Sequence, residues 1–550
     1  MSFWSTIAQK VKEIISNMVG ARTIEQQLHV KPVISSQMEE AIQLWSDMYK
    51  EKAPWLHEPT FADPSRVTSM GLPALIASEK ARTALIEFNS EITTPTEEVT
   101  VDNPDYQEPT PDVLGNILPS SQPPTITEDR PLTDTARAEY LNTQYEKLKK
   151  QLRRQIEYGI AKGGLVIKPY PVINNTDPDA EVTTDIEFDF IQADAFYPLA
   201  FDASGRITEA AFLQTKAEKD TLYRRLEYHK WTGNKVEIVN KAFKSTNNQT
   251  EGDMSGVDLG QEVPLSSVPE WKDLKDKTTI SNVSQPLFAY FKVPEANTVD
   301  TSSPLGVSGF SRAVKLIKDA DMQYSRLLWE YEGGEMAIDI DRDALNFKED
   351  KKGNTHQVMG HLQQRLYRPI DLGESNTYQP YAPPLRDSSF IQGLNTILMR
   401  IEDVTGLSRG TISDAAAEAR TATELKILKQ RSYQSNAHLQ QAIEDALRDV
   451  IYIMNVYCDL YELTPDGEYD VSFEWDDSII VDIDTELGKR ITLLQNGLTS
   501  KLETRMWYFG ETERQAQEAL MQVDEESQQA MEQNLMEQSN LANIQNRGEE

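Results

Sequence analysis

Three carboxylates alternate along Thr184–Ile191: Asp185, Glu187 and Asp189, with Ile186, Phe188 and Phe190 between them. Residues two apart in a strand share a face, so these acids would converge on one side and could hold a divalent cation. That is the pattern of a metal-dependent nuclease. No neighbouring His or Lys of the kind such a site often recruits lies beside them, and in a chain this acidic a solvated strand face is the favoured account. The six histidines stand at 29, 57, 229, 356, 361 and 438, with His356 and His361 the only close pair. The chain contains no His-Glu-x-x-His, no Cys/His metal spacing, no Gly-x-Ser-x-Gly elbow and no Gly-x-Gly-x-x-Gly. Gly-x-x-x-x-Gly-Lys-[Ser/Thr] is also absent; Gly488-Lys489 is followed by Arg490 and lacks the phosphate loop. The expectation is a protein with no catalytic residues, no metal and no cofactor.

Composition points the same way. The 550 residues carry 88 acids against 55 bases, a net charge of −33. Such a charge favours solubility and self-repulsion and excludes a general phosphate-binding surface. The length allows three or four domains. Cys458 is the single cysteine, so no intrachain disulfide can form. Met1–Gly20 reads as an amphipathic docking helix (Phe3, Trp4, Ile7, Val11, Ile14, Ile15, with Lys10 and Lys12 between) rather than a signal peptide or a membrane-surface helix. No stretch approaches the ~18 apolar residues of a membrane span.

The chain is organised around residues 386–464: a helix, a short glycine-flanked loop and a longer helix. Phe390, Leu394, Ile397, Leu398, Ile401 and Val404 form one apolar stripe. Gly406-Leu-Ser-Arg-Gly410 interrupts it, since glycine costs about 1 kcal/mol inside a helix. Thr421-Ala-Thr-Glu424 has capping-box spacing and predicts the start of a helix running to about Leu460, roughly 60 Å at ~1.5 Å per residue. Its second half is apolar on one face (Leu439, Ile443, Leu447, Val450, Ile451, Met454), and its first half is polar. Periodicity leaves two readings open, a helix bridging regions of an assembly and a long core helix.

Upstream, helices are predicted around Met38, Ile42, Trp45 and Met48, from Pro73 to Phe88, and over 133–159. Residues 91–131 hold eight prolines and nine acids against one base, which predicts an acidic linker or flexible loop. From 163 to 293 the period shifts to two. Strands are expected at 165–168, 184–191, 210–216, 223–231, 236–243 and 287–292, as an antiparallel meander, with 245–284 a polar loop region. A third strong helix follows Pro304, with Phe310, Val314, Ile317, Tyr324, Leu328 and Tyr331 as its stripe, and stops at Gly333-Gly334. Short strands and turns are expected over 335–385, then at 472–475 and 479–483. Paired helices are expected over 485–520, and a fraying Gln/Glu-rich tail after 524.

Together these elements resemble the portal proteins of tailed bacteriophages, of the kind found in phages of Gram-positive hosts. The resemblance runs from about residue 40 to 520. It rests on Trp45-Ser-Asp-Met-Tyr-Lys-Glu-Lys-Ala-Pro-Trp55, on Gly71-Leu-Pro-Ala-Leu-Ile-Ala-Ser-Glu79, on Pro304-Leu-Gly-Val-Ser308 through Leu328-Trp-Glu-Tyr331, and most specifically on Gly406-Leu-Ser-Arg-Gly-Thr411 followed by Arg420-Thr-Ala-Thr-Glu424. The segment 91–131 departs from the pattern. The resemblance implies an α+β, mainly helical subunit with long stem and tunnel helices, an antiparallel β-rich wing and a small β-containing clip. Mapped here, the wing is 1–303, stem helices are 304–332 and 386–405, and the clip is 333–385. A tunnel loop follows at 406–420, then the long helix and return to the wing at 421–484, and a crown with the C-terminal tail at 485–550. Phe310, Val314, Ile317, Tyr324, Leu328, Leu394, Ile397 and Ile401 would pack the stem. Gly406, Ser408, Arg409, Gly410, Thr411, Ser413 and Arg420 would face DNA.

The implied assembly is a ring of about twelve subunits at one capsid vertex, a channel for packaging and ejecting double-stranded DNA without sequence specificity. Implied partners are the chain itself, major capsid and scaffolding proteins, the terminase packaging motor and a head-tail adaptor, in the virion after assembly in the host cytoplasm, with no membrane. The charge fits independently. Duplex DNA carries one phosphate per ~1.7 Å, so a basic wall would grip it, whereas an acidic one repels it within a Debye length of roughly 8 Å. Arg409 would contact phosphate or form a salt bridge with Asp414 or Glu418. A non-channel scaffold or minor head protein and a nuclease using residues 185–189 are the competing readings.

Overall fold

Two sequence periods divide the chain, and the structure follows both. The computed structural model describes residues 24–28, 33–57, 67–86, 88–102, 125–174, 183–218, 221–245, 259–341, 346–349, 355–358, 367–370, 378–414, 422–475, 483–512, 515–517 and 519–523. They fall in two compact units, Met1–Trp475 and Asp476–Glu550. The predicted helix over 1–20 and the tail after 524 lie outside the described residues.

Helical spacing gives α1 (Ser36–Tyr49) and α2 (Leu72–Leu85), with Met38, Ile42, Trp45 and Met48 all buried. Ser35 caps α1, its hydroxyl accepting from the Met38 N–H at 3.3 Å. The acidic stretch 91–131 differs from the expected linker. β1 (Phe88–Thr93), β2 (Thr96–Asp102) and β3 (Thr125–Pro131) are strands, and β2 and β3 form an antiparallel hairpin. β1 pairs antiparallel with Asp470–Trp475, and Phe88 stacks on Trp475 with ring centroids 4.4 Å apart. Composition could not anticipate a partner so distant in sequence. Residues 103–124 lie outside the described set.

α3 (Ala136–Lys162) buries Leu141, Tyr145, Leu148, Leu152, Ile156 and Ile160 along one side. It ends at Gly163 with φ +93°, where a Cβ would lie 2.7 Å from the Gly306 carbonyl oxygen, so only glycine fits. The period-two region then supplies β4 (Gly164–Asn174), β5 (Thr183–Gln192), β6 (Phe196–Phe201), β7 (Ile207–Glu218), β8 (Thr221–Trp231), β9 (Lys235–Ser245), β10 (Gln261–Val263), β11 (Lys277–Ser281) and β12 (Ala289–Lys292). Strands β6 to β10 form the expected antiparallel meander, with β11 returning to pair with β9. A second antiparallel sheet has the order β12-β4-β5. The expected polar loop 245–284 therefore contains two strands. Lys277-Thr-Thr-Ile-Ser281 escaped notice because Ile280 is its only apolar residue.

α4 (Val314–Gly333) follows a single 3-10 turn at Ser311–Ala313. Trp55 and Met70 tie the N-terminal segment to it. The Trp55 indole N–H and the Met70 backbone N–H donate to opposite oxygens of Asp321, both at 2.9 Å. Short strands β13 (Ala337–Asp341), β14 (Asn346–Glu349), β15 (Thr355–Val358), β16 (Tyr367–Ile370) and β17 (Tyr378–Tyr381) fill the next stretch, as a sheet β16-β13-β17 and a hairpin β14-β15. α5 (Asp387–Thr405), α6 (Ala422–Tyr461) and β18 (Asp470–Trp475) complete the first unit.

Leu439, Ile443, Leu447, Val450, Ile451 and Met454 of α6 are all buried, in the same core cluster as the helices and both larger sheets. Arg137 fastens α3 to the end of α6: its guanidinium donates to Asn455 Oδ1 at 2.7 Å, Asp459 Oδ1 at 2.6 Å and the Pro465 carbonyl at 3.1 Å. The second unit contains α7 (Ile483–Gln495) and α8 (Lys501–Phe509), the latter opened by a Ser500/Glu503 capping box. Ile483 begins α7 rather than ending a strand, and 479–482 lie outside the described residues.

Candidate functional site

α4 and α5 pack along each other through the spacing that predicted them. Ile317 of α4 and Ile401 of α5 are fully buried and Leu394 and Leu398 nearly so; Phe310, expected on the helix, is buried too but stands before the 3-10 turn that precedes α4. Val314, Tyr324, Leu328 and Ile397 are half-buried at the margin. The two helices are also joined at one end by charge. The Arg386 guanidinium donates to both oxygens of Glu330, at 3.0 and 2.7 Å, and the Arg386 backbone N–H adds a third bond at 3.0 Å. This pairing holds the Glu330 carboxyl below the usual carboxylate range. Trp329 (44 % exposed), Tyr331 (39 %) and Ile391 (49 %) remain uncovered by the chain itself.

α5 ends at Gly406, whose φ of +76° is the left-handed conformation that glycine adopts freely. The loop beyond it is bound back to α5 at three places. Glu402, fully buried, accepts the N–H groups of Gly410 (3.1 Å), Ile412 (2.7 Å) and Ser413 (2.9 Å) and the Ser413 hydroxyl (2.7 Å). Asp403 accepts both sides of the Arg409 fork at 3.1 and 2.9 Å, which keeps its carboxyl below the ordinary range. Asn395 exchanges two bonds with the Asp414 backbone, at 3.0 and 2.7 Å.

Backbone N–H groups converging in this way form a concavity for an anion. Here the anion is a carboxylate from the preceding helix. A buried charge survives when its oxygens are saturated with donors, and Glu402 has four.

Gly406, Ser408, Arg409, Gly410, Thr411 and Ser413 are thus brought together in one turn. Their roles differ from a row of polar side chains facing outward. Ser413 is buried against Glu402, and the Thr411 hydroxyl donates to the Ser408 carbonyl at 2.6 Å. Arg409 pairs with Asp403 rather than Asp414, because Asp403 lies one helical turn before the loop and on its side. Arg420 and Glu418 lie outside the described residues. Glu402 was missed from sequence, although a signal existed: it falls four residues after Leu398, on the face that α5 buries, where an acid needs a partner.

The strand carboxylates serve elsewhere. Asp185 is paired with Lys147 at 2.5 Å, Asp189 lies 3.7 Å from Lys168, and Glu187 is exposed. Among the described residues no group of three or more His, Cys, Asp or Glu is placed to hold a metal, and no helix is long and apolar enough to cross a membrane. His361 and the side chain of His356 lie outside the described set. Burial pushes the Cys458 thiol up to about 11, which leaves it inert.

Residues 122–533, about three quarters of the chain, match the family model described as "Phage portal protein, SPP1 Gp6-like". No curated protein matches the chain.

Proposed function

We propose a function from one premise: this chain belongs to the SPP1 Gp6-like family of phage portal proteins. The family is structural rather than enzymatic, and membership makes the chain a bacteriophage capsid component concerned with DNA packaging. Our finer reading is that twelve or so copies close into a ring at one capsid vertex. Double-stranded DNA enters and leaves through it, and the ring docks the packaging motor on the way in and a head-tail adaptor afterwards.

In this reading 1–303 is the wing and 304–332 with 386–405 the stem. The clip is 333–385 and the tunnel loop 406–420, followed by the long helix and return to the wing over 421–484 and the crown and tail over 485–550. Major capsid and scaffolding proteins would meet the outside of the ring.

The observation that carries the proposal is the α4–α5 pair. Its inner faces are satisfied within one chain, while Trp329, Tyr331 and Ile391 remain exposed and would be covered by a neighbouring copy. The net charge of −33 suits a wall that DNA slides past. Contrary to the expectation that no lysine stands beside these acids, Lys147 pairs with Asp185 and Lys168 lies near Asp189; the ammonium groups take the place a cation would need, which speaks against the nuclease alternative.

Negative-stain images of purified protein test the proposal directly: rings with a central hole are expected. A stable monomer in light scattering at micromolar concentration would overturn it, and a closed particle without a hole would favour a minor head protein.

A further inference from the structure

The hairpin β2-β3 stands apart from the rest of the first unit. Its strands are seven residues each, and the Leu132 N–H closes its base on the Pro95 carbonyl at 2.9 Å. Among the described residues no other helix or strand packs along either strand. A two-stranded ribbon on its own is marginal in water, so this one needs a surface to lie on. β2 also precedes residues 122–533, so the family match does not account for the arm.

Charge narrows what that surface can be. The two strands carry Glu97, Glu98, Asp102, Glu128 and Asp129 against Arg130 alone. Their register sets Glu98 directly opposite Asp129, and like charges facing each other across paired strands destabilise them. A cationic surface offsets that repulsion, and in a chain of net charge −33 such surfaces are scarce.

α3 presents one. Lys150, Arg153 and Arg154 are exposed at i, i+3 and i+4, the spacing that shares one helical face. None has an ion pair among the described residues, whereas Lys147 and Lys149 of the same helix are taken by Asp185 and Glu146. The hairpin of the same chain is rooted at the other end of α3. The Lys149 ammonium donates to the Ser90 carbonyl at 2.6 Å and the Ile92 N–H to Asn142 Oδ1 at 3.1 Å. β1 therefore runs towards the N-terminal end of α3, and β3 leads back into Ala136. From Ala136 to Arg153 is roughly 26 Å at ~1.5 Å per residue. The strands themselves are about 23 Å long at ~3.3 Å per residue, a reach that suits a neighbouring molecule.

We propose that β2-β3 is an exchanged arm: the hairpin of one copy lies on the Lys150, Arg153 and Arg154 face of α3 in the next copy. This rests on the ring reading above, which sets identical copies side by side. Each subunit then gives one arm and receives one, a head-to-tail contact completed only when the ring closes. Exposed ion pairs are individually weak and screened by salt. The arm therefore tunes the strength and salt sensitivity of the ring rather than creating it.

The test uses rings assembled from equal parts of isotope-labelled and unlabelled full-length chain, treated with a carbodiimide that joins a carboxylate to an amine. Amides between the acids of 97–129 and Lys150 are expected, with the two halves drawn from differently labelled chains. Charge reversal gives a second measure. Arg153→Glu with Arg154→Glu, both exposed, should weaken subunit association in sedimentation about tenfold at low salt, the sum of several weak pairs. Glu98→Lys with Asp129→Lys should do the same, since it reverses the arm's charge while keeping a like pair across the strands. All four changes together should restore association. Amides confined to one chain or to other lysines, or association indifferent to both reversals, would overturn the arm and leave the ring standing. Amides formed only when a basic second protein is added would assign the arm to that protein and equally overturn the exchange. Absence of rings from the parent chain would overturn the ring reading itself, and the arm with it.

Discussion

At the scale of single residues, Glu402 decides the conformation of the loop that follows it. Replacing it with Ala would leave three backbone N–H groups facing a hole. At about 1–3 kcal/mol for an unmet buried donor, partly relieved by water, the expected loss is roughly 2–4 kcal/mol. Urea unfolding should report that loss, and trypsin should cut after Arg409 in Glu402→Ala while sparing the parent chain.

A second residue couples the meander to pH. The His229 imidazole is buried and held below its ordinary range by that burial. The unfolded chain takes up the proton near pH 6.5, whereas the folded chain does so only at lower pH. More protons are therefore bound to the unfolded state in this window, and stability falls as pH drops below about 6.5, levelling off beneath the folded-state value. Midpoints measured from pH 7 downwards should show this slope, and His229→Gln should flatten it. An unchanged slope would mean that His229 titrates normally.

At the scale of elements, α5 and the loop behave as one piece. Deleting 408–416 alone should destabilise α5, because it strands the Glu402 carboxylate in an apolar setting. The same deletion in a Glu402→Leu chain should be close to neutral for ring mass and melting temperature, and in the proposed channel it should lower the DNA packaged per capsid. On the other side of the helix, Ile391→Glu places a charge on an exposed apolar position. It should leave the subunit folded while reducing ring formation in sedimentation.

These elements also mark how far the sequence could be read. α1, α4, α5 and the buried half of α6 were legible because helical period and burial coincide at Met38, Ile42, Ile317, Leu398 and Leu447. β5 was legible from strict alternation. The strand character of 91–102 and 125–131 was not, since proline and acid content outweighed local signals; Phe88, expected at the end of the preceding helix, instead opens β1, and its pairing with Trp475 is set by tertiary contact alone. The loop residues could be placed together by their glycines, but the pairing of Arg409 with Asp403 depends on helix phase.

At the scale of the whole molecule, charge should govern any encounter with DNA in the proposed channel. With 33 more negative than positive charges, isolated protein should retain no duplex DNA on a filter at low salt, and no affinity should appear as salt rises. Tight binding at low salt that weakens steeply with added salt would show that local basic groups dominate. With no phosphate loop in the sequence, purified protein should not hydrolyse ATP. Turnover abolished by a point change in this chain would reverse that expectation.

The union of β1 with β18 has a consequence for synthesis. At about 5–20 residues per second, Phe88 leaves the ribosome roughly 20–80 s before Trp475 is made. Through that interval β1 is a strand without its mate, with Phe88 and Ile92 waiting for their neighbours and an open hydrogen-bonding edge. The first unit therefore cannot close until nearly the whole of it has been translated, and a chain truncated before residue 470 would retain the edge permanently. Translation as far as β18 thus becomes a checkpoint, one that a chain stopped short of Trp475 cannot pass.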